Sequence, residues 1–374
     1  VGMPLAEYIG DAVLDISILP NMARNANVIG IARELAALTG SELKVAGSKL
    51  QVQPSTLRKA QGNALNLPPV TDLVEIEITN PELNPRFVAG LIRNVEIKPS
   101  PYQIQRRLKL AGIRAINNIV DATNYAMLEL GEPLHAFDYD VLKARAGKNK
   151  IKISTRAAKD GEKLTTLDGV ERKLTSTNVL VCDEKGSLSL AGVMGGSESE
   201  VSDKTKNILL EGAAWNFINI RRTAKQHNLP SEASFRFSRG VHPSLAGHGV
   251  TLGLNYMAQL AGGEITPNLV DAYPLKPKDS VVDVTSHDVK RLLGIDLTPE
   301  EIANLLTRLD FACEITSYGL QVTAPNHRMD IAEGVVGLAD VLEEVARSYG
   351  YDNIPTTSMA DALPPQVGNP VHEW

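Results

Sequence analysis

The chain has 374 residues, of which 43% are hydrophobic and 22% charged, a balance typical of a globular protein with two or three domains. Its formal net charge of −6 argues against a protein that coats nucleic acid over its whole surface, but it leaves room for a local basic patch. No apolar run is long enough to cross a bilayer and no leader opens the sequence, so we expect no membrane partner. We do not expect DNA as a partner either. Cys182 and Cys313 lie far apart without metal-ligand spacing, which favours a cytoplasmic protein without a zinc site or a disulfide framework.

The first part of the chain is predicted to alternate between helices and short strands. Val1 falls within what reads as an ongoing domain, so we expect the chain to be a piece of a longer protein. The region 41–71 is weakly patterned, contains three prolines and is interpreted as strand pieces plus a connection. Hydrophobic spacing predicts helices over 28–40, 102–112 and 118–130, and β-rich runs in "LVEIEITN", "FVAGLIRNVEI" and "IKISTRA".

The later part is predicted to finish one α+β domain near residue 275 and to form a second, smaller one. Hydrophobic spacing predicts strands over 164–173, 178–183 and 187–191 and helices over 216–228 and 244–262. After the linker "PLKPKD", residues 280–356 read as a compact unit, and the Pro-rich tail from 357 is expected to be loose. In this unit Ser286 is predicted to cap a helix that ends at Gly294, and Thr298 begins a capping box, with a last helix at about 338–348.

The stretch 116–138, "INNIVDATNYAMLELGEPLHAFD", interrupts an apolar run with amides and then delivers a histidine. Gly131 and Pro133 make one continuous helix improbable, so the chain can double back and set His135 beside Thr123 and Asn124. The segment by itself favours a structural explanation, since buried amides often only satisfy the backbone of loops.

Three further segments favour a functional explanation over a structural one. In "LSLAGVMGGSESEV", Gly192 and Gly195 follow a strand and permit close backbone approach to a ligand, without the spacing of a phosphate loop or a dinucleotide fingerprint. In "ILLEGAAWN", Glu211 is placed at the end of an apolar strand. In "SEASFRFSRG", Ala233 lies among polar neighbours that include Ser231.

These segments, in this order, resemble the β subunit of bacterial phenylalanyl-tRNA synthetase. The resemblance is carried by "GIRAINNIVDATNYAMLELGEPLHAFD", "LAGVMGGSESEV", "LLEGAAWNFINIRRTA" and "SEASFRFSRGV", and it continues into "HRMD" and "DVLEEVARSYGYDNIP". It implies a multi-domain α+β chain, in which a mixed-sheet editing domain precedes a small winged-helix-like domain. The implied segments are a partial N-terminal B1-like domain at 1–73, the B3/B4 editing domain at 74–275, the B5 domain at 276–356 and a loose tail at 357–374.

The resemblance also implies a function, namely hydrolysis of tyrosine wrongly attached to tRNA(Phe). A hydrophobic pocket rejects one added hydroxyl by only about a hundredfold, so a second site must sort by the hydroxyl itself. Glu211 matches the family residue that reads this hydroxyl. The remaining matched residues are Ala233 beside the ring, Ser231 where a threonine is common, Gly192 and Gly195 as the glycine wall, Thr123, Asn124 and His135 as the polar catalytic group, and Arg114 facing the tRNA end.

The mechanism is left open by the sequence. No serine elbow or thiolate is recognisable, so water is the expected nucleophile, with His135 orienting it or acting as its base. Backbone N–H groups near Gly195 are candidates for stabilising the oxyanion, and substrate hydroxyls are candidates for contributing to catalysis.

A second, acidic constellation suits Mg²⁺. Asp340, Glu343 and Glu344 stand at i, i+3 and i+4 of one helix, with Asp330 upstream, although such a set is also typical of a solvated acidic face. The resemblance implies a Mg²⁺ site shared with the α subunit, but Asp330 lies four residues farther from Asp340 than in the family pattern.

The resemblance further implies binding partners and assigns aminoacylation and editing to different subunits. The partners would be the α subunit in an α2β2 heterotetramer, tRNA(Phe), and tyrosine or phenylalanine in the editing pocket. ATP would serve aminoacylation in the α subunit and is not expected to bind this chain. The alternative to an editing hydrolase is a non-catalytic scaffold or tRNA-binding segment, whereas an unrelated nucleotide-binding protein would need a phosphate loop that the sequence lacks.

Overall fold

The computed structural model describes residues 10–44, 68–147 and 149–356, which form an α+β chain in two compact units. Unit 1 comprises the described residues up to Asp279 together with Pro325–Asp330, and unit 2 comprises Ser280–Ala324 and the described residues from Ile331 onward. The predicted fold class is confirmed. Most of the connection predicted at 41–71 and the tail predicted from 357 lie outside the described residues, and the bounds of the four predicted segments stay predictions.

Unit 1 contains two five-stranded sheets and a hairpin. The first sheet has the order β1-β4-β7-β8-β9 and is mixed, because β1 and β4 are parallel and the other pairs are antiparallel. The second is antiparallel, with the order β11-β2-β10-β3 and β12 also paired to β2, while β5 and β6 form the hairpin. The strands are β1 Val74–Ile78, β2 Arg86–Arg93, β3 Leu134–Asp138, β4 Ile151–Ala157, β5 Lys163–Thr165, β6 Glu171–Lys173, β7 Val179–Asp183, β8 Gly186–Leu190, β9 Met194–Gly195, β10 Ile208–Ala214, β11 Glu264–Ile265 and β12 Val270–Ala272.

The helices of unit 1 begin and end close to the predicted positions. The predicted helices at 28–40, 102–112, 118–130, 216–228 and 244–262 are confirmed to within about two residues at each end. The described α-helices are α1 Val28–Thr39, α2 Val70–Leu73, α3 Tyr102–Leu110, α4 Asn118–Leu130, α5 Tyr139–Ala146, α6 Phe217–Gln226, α7 Glu232–Phe237 and α8 Ser244–Ala261, with 3₁₀ turns at Pro20–Asn25 and Ser197–Ser199. None of the helices in the described ranges has the length and apolar character that crossing a bilayer needs.

Both faces of the second sheet are buried, which accounts for the near-continuous apolar runs of β2 and β10. Side chains alternate between faces, so Ala89, Leu91 and Leu209 join one hydrophobic cluster. Val88 and Leu210 join the other, which also contains residues of α4 and α8. The first of these faces is the one on which the candidate site lies.

The turn between α4 and β3 requires a glycine. Gly131 ends α4 in the left-handed conformation, with φ +87°, and a Cβ at this position would lie 2.6 Å from the Asn27 amide nitrogen. The chain therefore reverses within a few residues and enters β3 at Leu134. The predicted interruption of the helix at Gly131–Pro133 is confirmed.

The amides at the start of α4 have structural roles. Asn117 caps the helix by accepting from Ile119 N and Val120 N. Asn118 is fully buried and bonds three backbone groups, accepting from Lys98 N and donating to the carbonyl oxygens of Glu96 and Leu260. For these two residues the structural explanation holds.

Unit 2 combines three α-helices with a three-stranded antiparallel sheet of order β13-β15-β14. The N-cap of its first helix is Thr285, in a capping box with Asp288, so the prediction of Ser286 as the cap was wrong by one residue. The Gly294 stop and the Thr298–Glu301 capping box are confirmed. The elements are β13 Val281–Val284, α9 Ser286–Leu293, α10 Pro299–Thr307, β14 Ala312–Thr316, β15 Gly319–Thr323, α11 Gly334–Tyr349 and a 3₁₀ turn at Tyr351–Asn353.

Candidate functional site

Glu211 and His135 lie directly opposite each other on neighbouring antiparallel strands. Glu211 is in the interior of β10 and is paired with His135 of β3 on one side and Ala89 of β2 on the other. Directly opposed residues present their side chains on the same face, with Cβ atoms about 5 Å apart. Glu211 was expected at the end of its strand, and its interior position fixes it more firmly than a strand end would.

This pair opens into a cavity of about 200 Å³. The side chains of Trp215, Phe237 and Ala233 contribute apolar surface, and the ring of His135 also meets Phe137 edge-on at 4.5 Å between centroids. The lining residues are Pro133, Leu134, His135, Leu167, Ser189, Leu190, Gly192, Val193, Met194, Gly195, Glu211, Trp215, Ala233 and Phe237. The sequence-predicted residues brought together here are therefore Glu211, His135, Ala233, Gly192 and Gly195.

The two predicted glycines permit close packing around this cavity. A Cβ on Gly195 would lie 2.3 Å from Cε1 of His135, and a Cβ on Gly192 would lie 2.8 Å from both Trp215 and Ile220. Gly192 also has a positive φ of +65°, which side chains rarely adopt. Any larger residue at position 195 would displace the imidazole ring.

Burial keeps Glu211 protonated at neutral pH. The residue is 7% exposed, and its Oε2 atom is buried without a hydrogen-bond partner in the described part of the chain. Desolvation raises the pKa of Glu211 from 4.5 to about 8. At pH 7 the carboxyl group is then neutral in about nine of ten molecules, so it can both donate and accept a hydrogen bond.

Burial shifts the pKa of His135 in the opposite direction and also favours its neutral form. Its Nε2 atom is shielded from solvent and has no hydrogen-bond partner among the described residues. Desolvation lowers the pKa of His135 from 6.5 to about 4, so the imidazole is neutral at pH 7. A neutral ring with one unpaired nitrogen in a cavity is suited to holding a water molecule or a substrate group.

The sequence interpretation missed Ser189, which lines the cavity, and Glu132, which lies near Glu211. Ser189 lies on β8, where it is paired with Gly195. Glu132 is fully buried, and burial raises its pKa well above the usual value, with Glu211 near enough to add to the rise. No signal in the sequence pointed to Glu132, because acidic side chains are rarely buried completely and only the packing reveals such a position.

Four predicted site residues do not line this cavity. Thr123 is buried in α4 and its hydroxyl donates to the Val120 carbonyl of the same helix, while Asn124 is a half-buried residue of that helix. Ser231 caps α7, and its hydroxyl accepts from Ser234 N and donates to the Val193 carbonyl, which ties this helix to the cavity lining. Arg114 is exposed in the connection between α3 and α4 and lines a separate groove with residues of α3.

The predicted metal ligand Asp330 is held by arginines within unit 1. Its carboxylate accepts from Arg328 at 2.6 and 2.9 Å and lies 3.6 Å from Arg24. These contacts neutralise its charge without a metal ion.

The other three predicted ligands lie on α11 in unit 2. Glu344 is buried and paired with Arg347 at 2.5 Å, Asp340 accepts from Ala332 N at 3.1 Å, and Glu343 is exposed. No group of three or more His, Cys, Asp or Glu side chains within the described ranges is arranged to hold a metal ion. As arranged in this chain, the donor set does not fit Mg²⁺ on its own.

Comparisons with known proteins agree with the two-unit architecture. A family model described as the B3/4 domain matches residues 83–262, and one described as the tRNA synthetase B5 domain matches residues 282–351. The chain is 40% identical to a phenylalanine–tRNA ligase β subunit of Moorella thermoacetica over all of this chain and 44% of that one. It is 39% identical to the corresponding subunit of Bacillus licheniformis over 93% of this chain and 40% of the relative.

Among solved structures, an N-terminal fragment of the phenylalanyl-tRNA synthetase β subunit from Pyrococcus horikoshii is similar over 74% of this chain and 75% of that one, with 18% identity. Its TM-score of 0.35 is too low to support an argument about the fold.

The two domains define the class of the chain, which is a multi-domain segment of an aminoacyl-tRNA synthetase. The near-40% identity along the chain then defines the family more narrowly. The chain belongs to the phenylalanine–tRNA ligase β subunits and spans less than half the length of the curated relatives it matches. The predicted family resemblance is confirmed.

Proposed function

We propose that unit 1 hydrolyses the ester of Tyr-tRNA(Phe), as the editing part of a phenylalanine–tRNA ligase β subunit. The observation that carries this proposal is the pairing of Glu211 with His135 inside a small, largely apolar cavity. A volume of about 200 Å³ suits one aromatic side chain rather than a larger ligand. One hydrogen-bonding acid in an apolar cavity is the arrangement that distinguishes tyrosine from phenylalanine.

Glu211 would be in its neutral, protonated form when it recognises the tyrosine hydroxyl. A charged Glu211 would accept the phenolic hydrogen, and phenylalanine would leave a buried charge unpaired. With the pKa of Glu211 at about 8, the group left unpaired by phenylalanine is instead a neutral carboxyl. Leaving a buried polar group without a partner costs about 1–3 kcal/mol, which is a factor of about 5 to 150 in affinity.

His135 would position the attacking water rather than remove its proton before attack. With its pKa near 4, the ring is a weak base at pH 7, but its unpaired nitrogen can accept a hydrogen bond from water. The water oxygen attacks the ester carbonyl carbon, the bond from that carbon to the ribose oxygen breaks, and one proton of the attacking water passes to the ribose oxygen. The products are tyrosine and tRNA with a free terminal hydroxyl.

The remaining attributes concern the whole enzyme. We propose an α subunit as partner in a heterotetramer, tRNA(Phe) as the RNA, aminoacylation with ATP in the α subunit, and a cytoplasmic location. Exposed Arg107, Lys109 and Arg114 on and after α3 would contact RNA phosphates. The Mg²⁺ site stays a prediction for the assembled enzyme, because three of its four predicted ligands, Asp330, Asp340 and Glu344, already bond protein donors.

The test is deacylation of Tyr-tRNA(Phe) and Phe-tRNA(Phe) by the full chain and by Glu211→Ala. The wild type should release tyrosine faster than phenylalanine, and Glu211→Ala should lose most of that preference. Glu264→Ala, which removes an exposed carboxyl of β11, is the matched control and should keep it. Equal release of both amino acids by wild type and Glu211→Ala would refute the selectivity argument.

A non-catalytic scaffold or tRNA-binding segment is the second candidate. It is favoured by the placement of Thr123 and Asn124, which lie outside the cavity lining and so leave His135 with fewer polar neighbours than expected. Binding of tRNA without release of tyrosine would support the scaffold.

Replacing Ser189 by alanine distinguishes two hydrolytic mechanisms. Deacylation by Ser189→Ala should persist if water attacks the ester directly and vanish if the Ser189 hydroxyl forms a covalent ester with the amino acid.

A further inference from the structure

Unit 1 contains a second, larger cavity of about 520 Å³, which we call the arginine cavity. Its lining comes from the 3₁₀ turn at Pro20–Asn25, the start of α1, the segment around the C-terminal end of α7, the start of α8 and residues 326–330. None of the residues around Glu211 and His135 is part of this lining. The editing proposal leaves this cavity without a role.

Positive charge dominates the lining. Four arginines line the cavity and Asp330 is the one acidic residue that does so. Two of the arginines have carboxylate partners just outside it, since Arg24 pairs with Glu34 at 3.0 Å and Arg236 with Glu232 at 2.6 Å. The arginines are Arg24, Arg33, Arg236 and Arg239.

Arg239 is the cation for which the protein supplies no counter-ion in the described residues. Its Nη1 donates to the Phe235 carbonyl at 2.9 Å, its guanidinium lies 3.8 Å from the centroid of the Phe235 ring, and its Nε is buried without a hydrogen-bond partner. Burial lowers the pKa of Arg239, and the nearby Arg221 adds to the effect. A guanidinium that lines a cavity without a protein counter-ion is available to bind an anion there.

Three histidines add neutral hydrogen-bond donors to the same lining. They are His242, His248 and His327, and burial lowers the pKa of each, in the case of His327 to about 3. Nearby arginines contribute to all three shifts. A cavity with guanidinium groups and imidazole N–H groups offers donors for several oxygen atoms at once.

We propose that the arginine cavity binds a phosphate group. Arg239 lines it without a carboxylate partner in the described residues, and guanidinium groups match phosphate oxygens in a bidentate geometry. Its volume exceeds that of a bare ion, so the phosphate can be carried by a nucleoside monophosphate or by an RNA backbone as well as being free. The shared chemistry is the phosphate group, and the source is decided by experiment.

Helix α7 lines both the arginine cavity and the cavity around Glu211 and His135, which we call the editing cavity. From α7, Ala233 and Phe237 line the editing cavity, while Arg236 lines the arginine cavity. A phosphate held at Arg236 and Arg239 would therefore fix the helix that contributes Ala233. The proposal does not rest on editing, since phosphate binding can be measured with no aminoacyl ester present.

The experiment is calorimetric titration of the full chain, in a phosphate-free buffer, with three probes. They are inorganic phosphate, adenosine 5′-monophosphate, and an RNA trinucleotide without terminal phosphates. Each probe is titrated into wild type, Arg239→Gln and His248→Gln. Arg222→Gln is the matched control, because Arg222 is an exposed arginine of the neighbouring helix α6 that does not line the cavity.

The wild type should bind at least one probe with millimolar or tighter affinity, and Arg239→Gln should weaken it by about tenfold or more. His248→Gln should weaken it less, and Arg222→Gln should bind like the wild type. Trinucleotide binding would assign an RNA backbone as the source, and binding of only the other two probes would assign a free phosphate or nucleotide. Absence of binding to every probe, or equal binding by wild type and both cavity variants, would overturn the proposal. Thermal unfolding without probe identifies a variant that fails to fold, in which case the other cavity variant decides.

Discussion

Replacing Glu211 by glutamine should change how the stability of the folded chain depends on pH. The carboxyl group is 7% exposed, and its burial raises the pKa from 4.5 to about 8. Between these two values the folded state keeps the proton that the unfolded state has released. The free energy of unfolding contributed by this group is therefore fully present below pH 4.5 and falls as the pH rises towards 8. Glutamine has nearly the same shape and no proton to lose.

The size of this change in stability with pH follows from the pKa shift of Glu211. Each pKa unit corresponds to about 1.36 kcal/mol, so wild type should lose about 3 to 4 kcal/mol relative to Glu211→Gln between about pH 5 and about pH 8. His135 contributes with the opposite sign, because burial lowers its pKa to about 4 and stability is gained as the pH rises through 4 to 6.5. Both proteins retain His135, so its contribution cancels in the comparison.

Urea denaturation of both proteins at the two pH values measures the difference, with the fluorescence of Trp215 as a probe next to the cavity. Glu264→Gln, which changes an exposed carboxyl, should follow the wild type at both pH values. If wild type and Glu211→Gln differ by the same free energy at both pH values, Glu211 is not a buried, protonated acid and the reasoning fails.

Further changes test the geometry of the site and of unit 2. Gly195→Ala should displace the ring of His135, slow deacylation strongly and destabilise unit 1 by about 1–3 kcal/mol. Ester release and urea denaturation measure the two effects. Unchanged activity would contradict the close approach of residue 195 to the imidazole ring. Ala233→Leu should fill the cavity and abolish tyrosine binding in calorimetry while secondary structure by circular dichroism is retained, and normal binding would contradict the placement of residue 233. Thr285→Ala should destabilise unit 2 by about 1 kcal/mol and Ser286→Ala by much less in thermal unfolding, and the reverse order would show that Ser286 is the cap.

The elements of the fold were predictable because their signals are local. Helix α1 ends at Gly40, and helix α4 ends at Gly131, where a left-handed residue was needed and the sequence supplied a glycine. The capping residue in unit 2 was missed by one position because Thr285 and Ser286 are both good caps. The choice between them depends on Asp288, which completes the capping box with Thr285.

The candidate site was predictable only in part, because it depends on which face each side chain occupies. Glu211 and His135 were recognised by family resemblance, but their direct opposition follows from the register of β10 and β3, which sequence spacing does not reveal. Thr123 was assigned to the site because it matches a polar residue of the family and because the break at Gly131–Pro133 was expected to set His135 beside it. Its hydroxyl instead bonds the preceding turn of that helix, a contact open to any buried threonine.

The pKa values were beyond the sequence altogether. A carboxyl in an apolar strand can be charged and paired or neutral and alone, and the choice depends on its three-dimensional neighbours. For Glu211 the structure supplies burial and no partner for Oε2 in the described residues. The same is true of Glu132, whose burial beside Glu211 became apparent only from the packing.

The most direct measurement is a calorimetric titration of free tyrosine and free phenylalanine into wild type and Glu211→Ala at neutral pH. If Glu211 recognises the phenolic hydroxyl, wild type should bind tyrosine about 5 to 150 times more tightly than phenylalanine, and Glu211→Ala should bind the two alike. A wild-type protein that binds both amino acids equally, or a Glu211→Ala protein that keeps the full preference for tyrosine, would contradict the account.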